Sequence, residues 1–280
     1  MIFREVTLDD MPMFDKYKNI CSEYLFSYLY MYQHSYKLKM SEKDGTIIIR
    51  SDMADTNFFM PLGDISQGIK SVLEYCKENK IKPVFSKIPE DFLSVFNDFN
   101  FHIEEDRDSF DYIYENSDFI EYKGKEFRKQ RNNLFSYLKV YTPRFDTDVK
   151  AYIDKCKEFT RKYHNSSSKL EPTFKMLDNM DLFNLKGGVV LNSGEISAFC
   201  LYEKLSENML LSHVELTDNS HRGVHAYLIN ELAKNISEKY INKEDDMGIP
   251  GLRRFKETYN PQYMLKKYKA YYEYIGGKKI

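Results

Sequence analysis

The chain has 280 residues, 42% of them hydrophobic and 15% aromatic, and a net charge of −2. That is enough apolar material for two cores of ordinary size. A charge this near zero excludes a general attraction of the whole molecule to nucleic acid, and no stretch reaches the ~18 uninterrupted apolar residues of a spanning helix. The opening MIFREVTLDDM carries acids where a secretory signal has a basic patch, so a cytoplasmic protein is expected. Cys21, Cys76, Cys156 and Cys200 form no CxxC pair and read as reduced, buried thiols.

In chain order, Thr7 and Asp10 form a capping box ahead of Met11, Phe14, Tyr17 and Ile20, which predicts a first helix. The Tyr-, Phe- and Leu-rich residues 22–36 predict a buried helix. Short β-rich runs begin at Thr46 and Asn57, and Ile65, Ile69, Val72, Leu73 and Cys76 recur at helical spacing behind Asp64. A strand from Pro83, a helix carrying Phe92, Val95, Phe96 and Phe99, and a strand from Phe110 complete the first half.

The second half repeats this order. A hairpin from Val189 turns at Asn192, Ser193 and Gly194, and a third strand starts at Asn208. Val224, Leu228, Leu232 and Ile236 mark a helix, followed by a strand from Tyr240, a short helix at residues 251–259, and a strand from Tyr263. Corresponding elements recur roughly 150–160 residues apart, which points to duplication of a whole domain. The class is α+β, with a strand–helix–parallel strand crossover in each half. A ligand is expected at the carboxyl ends of those parallel strands, which in the second half means Glu215, the turn at 218–223 and residues 242–246.

Charge is unevenly spread. Residues 90–121 hold eleven acids against Arg107, residues 123–139 six Lys or Arg against Glu126, and residues 253–280 eight Lys or Arg against Glu257 and Glu273. The two basic stretches suit a polyanion if the fold joins them; solvated lysines explain them equally.

The segments HVELTDNSHRGVHAYLINELA and YINKEDDMGIPGLRRFKETYNPQYMLKKY resemble the family named after the C-terminal domain of phosphatidylglycerol lysyltransferases. SEYLFSYLYMYQHSY and EYKGKEFRKQRNNLFSYL are similar to two further stretches of it. The resemblance implies two tandem GNAT-like acyltransferase domains, residues 1–120 as a scaffold and 121–280 with the active site. It implies transfer of an aminoacyl group from a charged tRNA to a lipid-headgroup or small-molecule acceptor, with no tightly bound cofactor. From the family pattern GLR, then K, then KY, it carries Gly251, Arg253, Lys256, Tyr259, Lys267 and Tyr268 over as donor- or substrate-binding residues.

Such a reaction needs a positioned nucleophile, a stabilised oxyanion and a proton acceptor. Glu215, Glu244 and Asp245 are the catalytic candidates, with Asn242 and Asp246 as binding neighbours; a solvated acid or helix cap is the bland reading of each. Arg222 and Gly223 sit where GNAT enzymes cradle the coenzyme A diphosphate, but His225 replaces a second small residue there, which favours an aminoacyl-tRNA over an acyl-CoA. Arg253 and Lys256 share a helix face that suits a phosphate or carboxylate. Arg128, Lys129, Arg131 and Asn132 suit an RNA backbone, or salt bridges to the preceding acids.

Closely spaced acids in NKEDDMG lack the spacing of a calcium loop, and no metal is expected. Ser212, His213, Asp218, His221 and His225 lack a nucleophile elbow and read as polar turn residues. An acetyl-CoA-dependent N-acetyltransferase and a non-catalytic RNA- or anion-binding module stand as the alternatives. The oligomeric state is not legible.

Overall fold

The computed structural model describes residues 1–17, 20–53, 55–163 and 167–272. Residues 1–110 and 265–272 form one compact unit and residues 111–264 the other. Of the expected C-terminal basic stretch, residues 273–280 lie outside the described residues.

The first unit begins with the Thr7 capping box, which Arg4 reinforces by gripping both oxygens of Asp10. Helices α1 (Met11–Phe14) and α2 (Phe26–Tyr32) precede strands β1 (Leu38–Lys43), β2 (Thr46–Ser51) and β3 (Asn57–Phe59). Helix α3 (Ile65–Asn79), capped by Asp64, crosses over to β4 (Val84–Pro89), which pairs parallel to β3. Helix α4 (Leu93–Asn97) leads to β5 (Phe101–Glu105).

The second unit contains β6 (Asp111–Glu115), α5 (Asn116–Glu121), α6 (Arg128–Val140), β7 (Arg144–Asp146), α7 (Ile153–Tyr163) and α8 (Ser167–Asp178). The hairpin β8 (Lys186–Asn192) and β9 (Glu195–Ser206) follows, then β10 (Met209–Thr217), the crossover helix α9 (Val224–Lys234) and β11 (Tyr240–Asn242), parallel to β10. Helix α10 (Pro250–Glu257) and β12 (Tyr263–Leu265) close it, and β13 (Lys267–Tyr272) follows. Two mixed, mostly antiparallel sheets flanked by helices make the α+β tandem acyltransferase fold, with strand orders β1-β2-β3-β4-β13-β5 and β12-β6-β11-β10-β9-β8-β7.

The division differs from 1–120 and 121–280, because each sheet takes one strand from the other half of the sequence. Strand β6 pairs antiparallel with β11, and β13 inserts between β4 and β5. Apolar alternation tells a strand to bury itself, and it does not say in which sheet. The Tyr- and Phe-rich stretch after Ser22 is helical over Phe26–Tyr32, preceded by a 3-10 turn. All four cysteines are buried free thiols.

The first unit closes its own strand crossover. The Tyr24 hydroxyl accepts from Met60 N at 3.0 Å and donates to Lys87 O at 2.8 Å, bridging the ends of β3 and β4. Beside it the buried Glu23 carboxylate receives Lys267 at 2.6 and 2.7 Å and Lys87 at 3.0 Å. Burial works against its charge, but the two ammonium groups hold it ionised, well below the usual carboxylate range.

Candidate functional site

Strand β10 pairs with β11 only through Met209 to Leu211, opposite Tyr240 to Asn242, and then runs on to Thr217. Beyond that register the two parallel strands part, as carboxyl ends do at a ligand-binding crossover. Side chains from both sides meet across the gap. Glu215 of β10 takes Lys243 Nζ on Oε2 at 2.6 Å, His225 Nε2 of α9 on the same oxygen at 2.9 Å, and the Ser212 hydroxyl on Oε1 at 2.8 Å. His213 of β10, fully buried, joins Glu203 at 2.7 Å to Glu244 at 2.9 Å.

Burial disfavours a charged imidazole at His213, yet hydrogen bonds and charge from its two carboxylates push it up to about 10, so it is an imidazolium at neutral pH. His225 behaves in the opposite way. Burial and the neighbouring Lys243 charge outweigh Glu215 and lower it, keeping the ring neutral. Glu215 is itself buried, but Lys243 and His225 hold it ionised. An ionised acceptor on Nε2 requires the hydrogen there, so Nδ1 accepts from the Tyr259 hydroxyl at 2.6 Å. The result is a chain from Tyr259 through His225 to Glu215, with the Phe255 ring 4.9 Å from His225.

The segment after β11 is wound tightly, with Glu244, Met247 and Gly248 at positive φ. Lys256 Nζ donates to the carbonyls of Lys243, Glu244 and Asp245, which fixes the turn from beneath. Asp246 receives Arg253 through two nitrogens at 3.0 and 2.9 Å, the Tyr112 hydroxyl at 2.6 Å and Gly248 N at 2.9 Å. Asn242 donates to Asp111 at 2.9 Å and accepts from Glu244 N at 2.7 Å.

Glu215, Glu244, Asp245, Asp246, Asn242, Arg253, Lys256 and Tyr259 therefore form one connected network. Arg253 and Lys256 act inside it, on Asp246 and on loop carbonyls, where an anionic ligand was expected to take them. Gly251 is the second residue of α10, with open space around it. Lys267 and Tyr268 belong to the first unit, where Lys267 binds Glu23 and Tyr268 donates to Glu90 at 3.0 Å.

His213 and His225 are not the polar turn residues that the sequence suggested. They lie in β10 and α9 with both nitrogens engaged. Lys243 fell inside the expected 242–246 segment but was given no role of its own. Its spacing carried a signal, because a lysine beside Asn242 at the end of a buried strand has little room to reach solvent.

The basic residues gather on the side of α6. A groove of about 390 Å³ is lined by Lys125, Glu126, Arg128, Lys129, Asn132, Asn133 and Arg222, and a second of about 480 Å³ shares Lys125 and Arg128 and includes Arg131. Arg131 also donates to the carbonyls of Tyr122 and Gly124. Gly223 allows the close approach of α6 to the start of α9: its φ is +91°, and an added Cβ would stand 2.2 Å from Asn133 O. In the turn ahead of it, Asp218 accepts from Ser220 N at 2.9 Å and Ser220 Oγ at 2.6 Å. Burial opposes the charge, yet those bonds and one from Tyr163 hold Asp218 down to about 2. An anion thus already occupies the turn whose amides would hold a diphosphate.

Residues 14–271 match the family model described as "Phosphatidylglycerol lysyltransferase, C-terminal". A conserved protein of unknown function from Bacteroides thetaiotaomicron is 25% identical, covering 98% of this chain and 100% of that one with a TM-score of 0.85. L-PGS from Bacillus licheniformis shares the fold at 14% identity, over 98% of this chain and 94% of that one, with a TM-score of 0.70. An uncharacterized protein of Mycoplasmoides gallisepticum is 22% identical over 172 residues, which are 57% of this chain and 55% of that protein. The matched region thus spans little more than half the length of that curated relative.

Proposed function

The chain belongs to the family of the phosphatidylglycerol lysyltransferase C-terminal domain, a transferase family, and from that premise we propose that it moves an aminoacyl group from a charged tRNA to an amine or hydroxyl acceptor. The observation that carries this reading is the neutral His225, held between the ionised Glu215 and the Tyr259 hydroxyl at the end of β10. As the nucleophile bonds to the ester carbonyl, its proton passes to the Tyr259 oxygen while the Tyr259 hydrogen passes to His225 Nδ1. Glu215 stabilises the imidazolium that forms. When the ester C–O bond breaks, the proton returns by the same route to the leaving ribose oxygen, so the enzyme ends as it began.

Glu244 and Asp245 serve in this scheme through the loop they shape, with Lys256 and the Asp246–Arg253 pair holding it. The groove of Arg128, Lys129, Asn132 and Arg222 receives donor phosphates, three residues before His225 in the case of Arg222. Asp218 in the turn before Gly223 speaks for such a donor over coenzyme A, whose diphosphate would meet a carboxylate there. The acceptor is a small molecule or a lipid headgroup. Among the described residues no helix is long and apolar enough to cross a membrane.

The test mixes the protein with a complete set of charged tRNAs, labelled amino acids and a panel of amines and glycerophospholipid vesicles. Deacylated tRNA and labelled acceptor are expected, with His225→Ala slowing transfer by about 10²-fold or more. No transfer from any tRNA, or an undiminished His225→Ala, overturns the reading. Stabilisation of the fold by coenzyme A would replace it with acetyl transfer.

A further inference from the structure

Helix α6 turns an uncharged amide inward. Gln130 is 2% exposed, its Nε2 donates to the Thr258 carbonyl at the end of α10, and its Oε1 is buried with no hydrogen-bond partner among the described residues. An apolar side chain of the same length would fill this place without stranding an acceptor, so packing alone does not account for a glutamine here. Arg128 and Asn132 of the groove lie about 200° around the helix from it, on the opposite face.

The residue after Thr258 is Tyr259, whose hydroxyl donates to His225 Nδ1 at 2.6 Å. Phe119 and Phe255 stand edge-on to the Tyr259 ring at 5.9 and 5.5 Å. Such contacts steer the plane of the ring but let it slide along its own axis, so the backbone sets how far the hydroxyl reaches. That backbone is leaving the helix: Thr258 N and Tyr259 N still close on carbonyls of α10, while Asn260 has a φ of 52°. The Gln130 amide holds the carbonyl of the peptide that joins Thr258 to Tyr259. We propose that Gln130 is a positioning residue for the transfer: by fixing the Thr258 carbonyl it sets the Tyr259 hydroxyl on His225 Nδ1. This role rests on the transfer reading and deepens it. A donor held in the groove is registered against both members of the relay, His225 through Arg222 on the approach to α9 and Tyr259 through α6 and Gln130.

The test compares the full chain with its Gln130→Met variant, which fills a similar volume and lacks the donor. Melting temperature, affinity for deacylated total tRNA, the nitrogen resonance of His225 Nδ1 and the transfer rate are measured on both. Gln130→Met is expected to keep the melting temperature and the tRNA Kd. It should move the Nδ1 resonance toward that of a ring nitrogen without a hydrogen bond, and lower kcat about tenfold or more at unchanged donor KM. If it melts lower, Gln130→Asn, which keeps the amide but stops short of the Thr258 carbonyl, carries the same readouts. An unmoved His225 resonance, or a loss confined to KM, overturns the proposal. A wild-type chain that transfers nothing defeats the transfer reading instead, and the resonance still decides whether Gln130 sets the contact between Tyr259 and His225.

Discussion

The Lys243 ammonium meets the Glu215 carboxylate at 2.6 Å where β10 and β11 part, and the rings of Tyr114, Phe119 and Tyr259 face it at 5.7, 5.8 and 5.2 Å. The pair is almost closed from solvent, so each charge depends on the other. Glu215→Gln removes one partner and strands the ammonium, which costs about 3–5 kcal/mol. The carboxyl is held below its usual range, so its stabilisation is present above the unfolded value near ~4.3 and fades as pH falls below it. Urea unfolding at pH 7 and at pH 4 checks both statements: the variant should be weaker at pH 7, and its deficit should shrink in acid.

His213 follows the opposite sign. Its folded value is raised to about 10, so the stability it adds is complete below the unfolded value near ~6.5 and is lost as pH rises from there through about 10. The ring carbon and proton resonances of His213 should not shift between pH 5 and 8. His213→Gln should flatten the stability profile between pH 6.5 and 10; a His213 ring that titrates near neutrality would contradict the bridge to Glu203 and Glu244.

His225 is lowered, so the transfer rate should rise with pH through a midpoint below the ordinary imidazole value of ~6.5 and then level off. Tyr259→Phe removes the hydroxyl that Nδ1 accepts from, and should reduce the rate while leaving donor binding in place. Initial rates across the pH range separate the two effects, and a midpoint well above that of free imidazole would defeat the assignment.

Gly223→Ala should destabilise the second unit by about 1–3 kcal/mol, since a left-handed residue gains a Cβ against the Asn133 carbonyl. The melting temperature reports this directly. An unchanged value would mean that α6 does not approach α9 as described.

Lys267→Met should lower stability by roughly 3 kcal/mol, because the buried Glu23 loses one of its two ammonium partners and keeps Lys87 and the Ser22 hydroxyl. Donor affinity, measured on the fraction that remains folded, should be unaltered. A large rise in donor Kd without loss of stability would return Lys267 to the binding site.

The order of elements was plain from local chemistry. The Thr7 and Asp10 box, the Asp64 cap, the 3.6-residue spacing from Ile65 and from Val224, and the turn at Asn192 to Gly194 each act over a few residues. Even the crossover in each half could be placed, because a strand, a helix and a strand of those lengths have one favoured handed connection. Glu215 and Tyr259 were likewise marked by position and by the family pattern.

Partnership was not legible. Nothing near Arg253 says that it folds back on Asp246, or that Lys256 spends its three donors on the carbonyls of a turn twelve residues earlier. His225 looked like a misfit in a glycine-rich turn until α9 carried it beneath Glu215. The sequence by itself determined the elements, the duplication and the pool of charged groups, since these follow from short-range sterics and apolar periodicity. Only the tertiary structure decided which sheet receives β6 and β13, and which histidine is charged and which neutral. Those depend on burial and on the sign of whatever charge the fold brings within a few ångströms, and that is a property of distance in space.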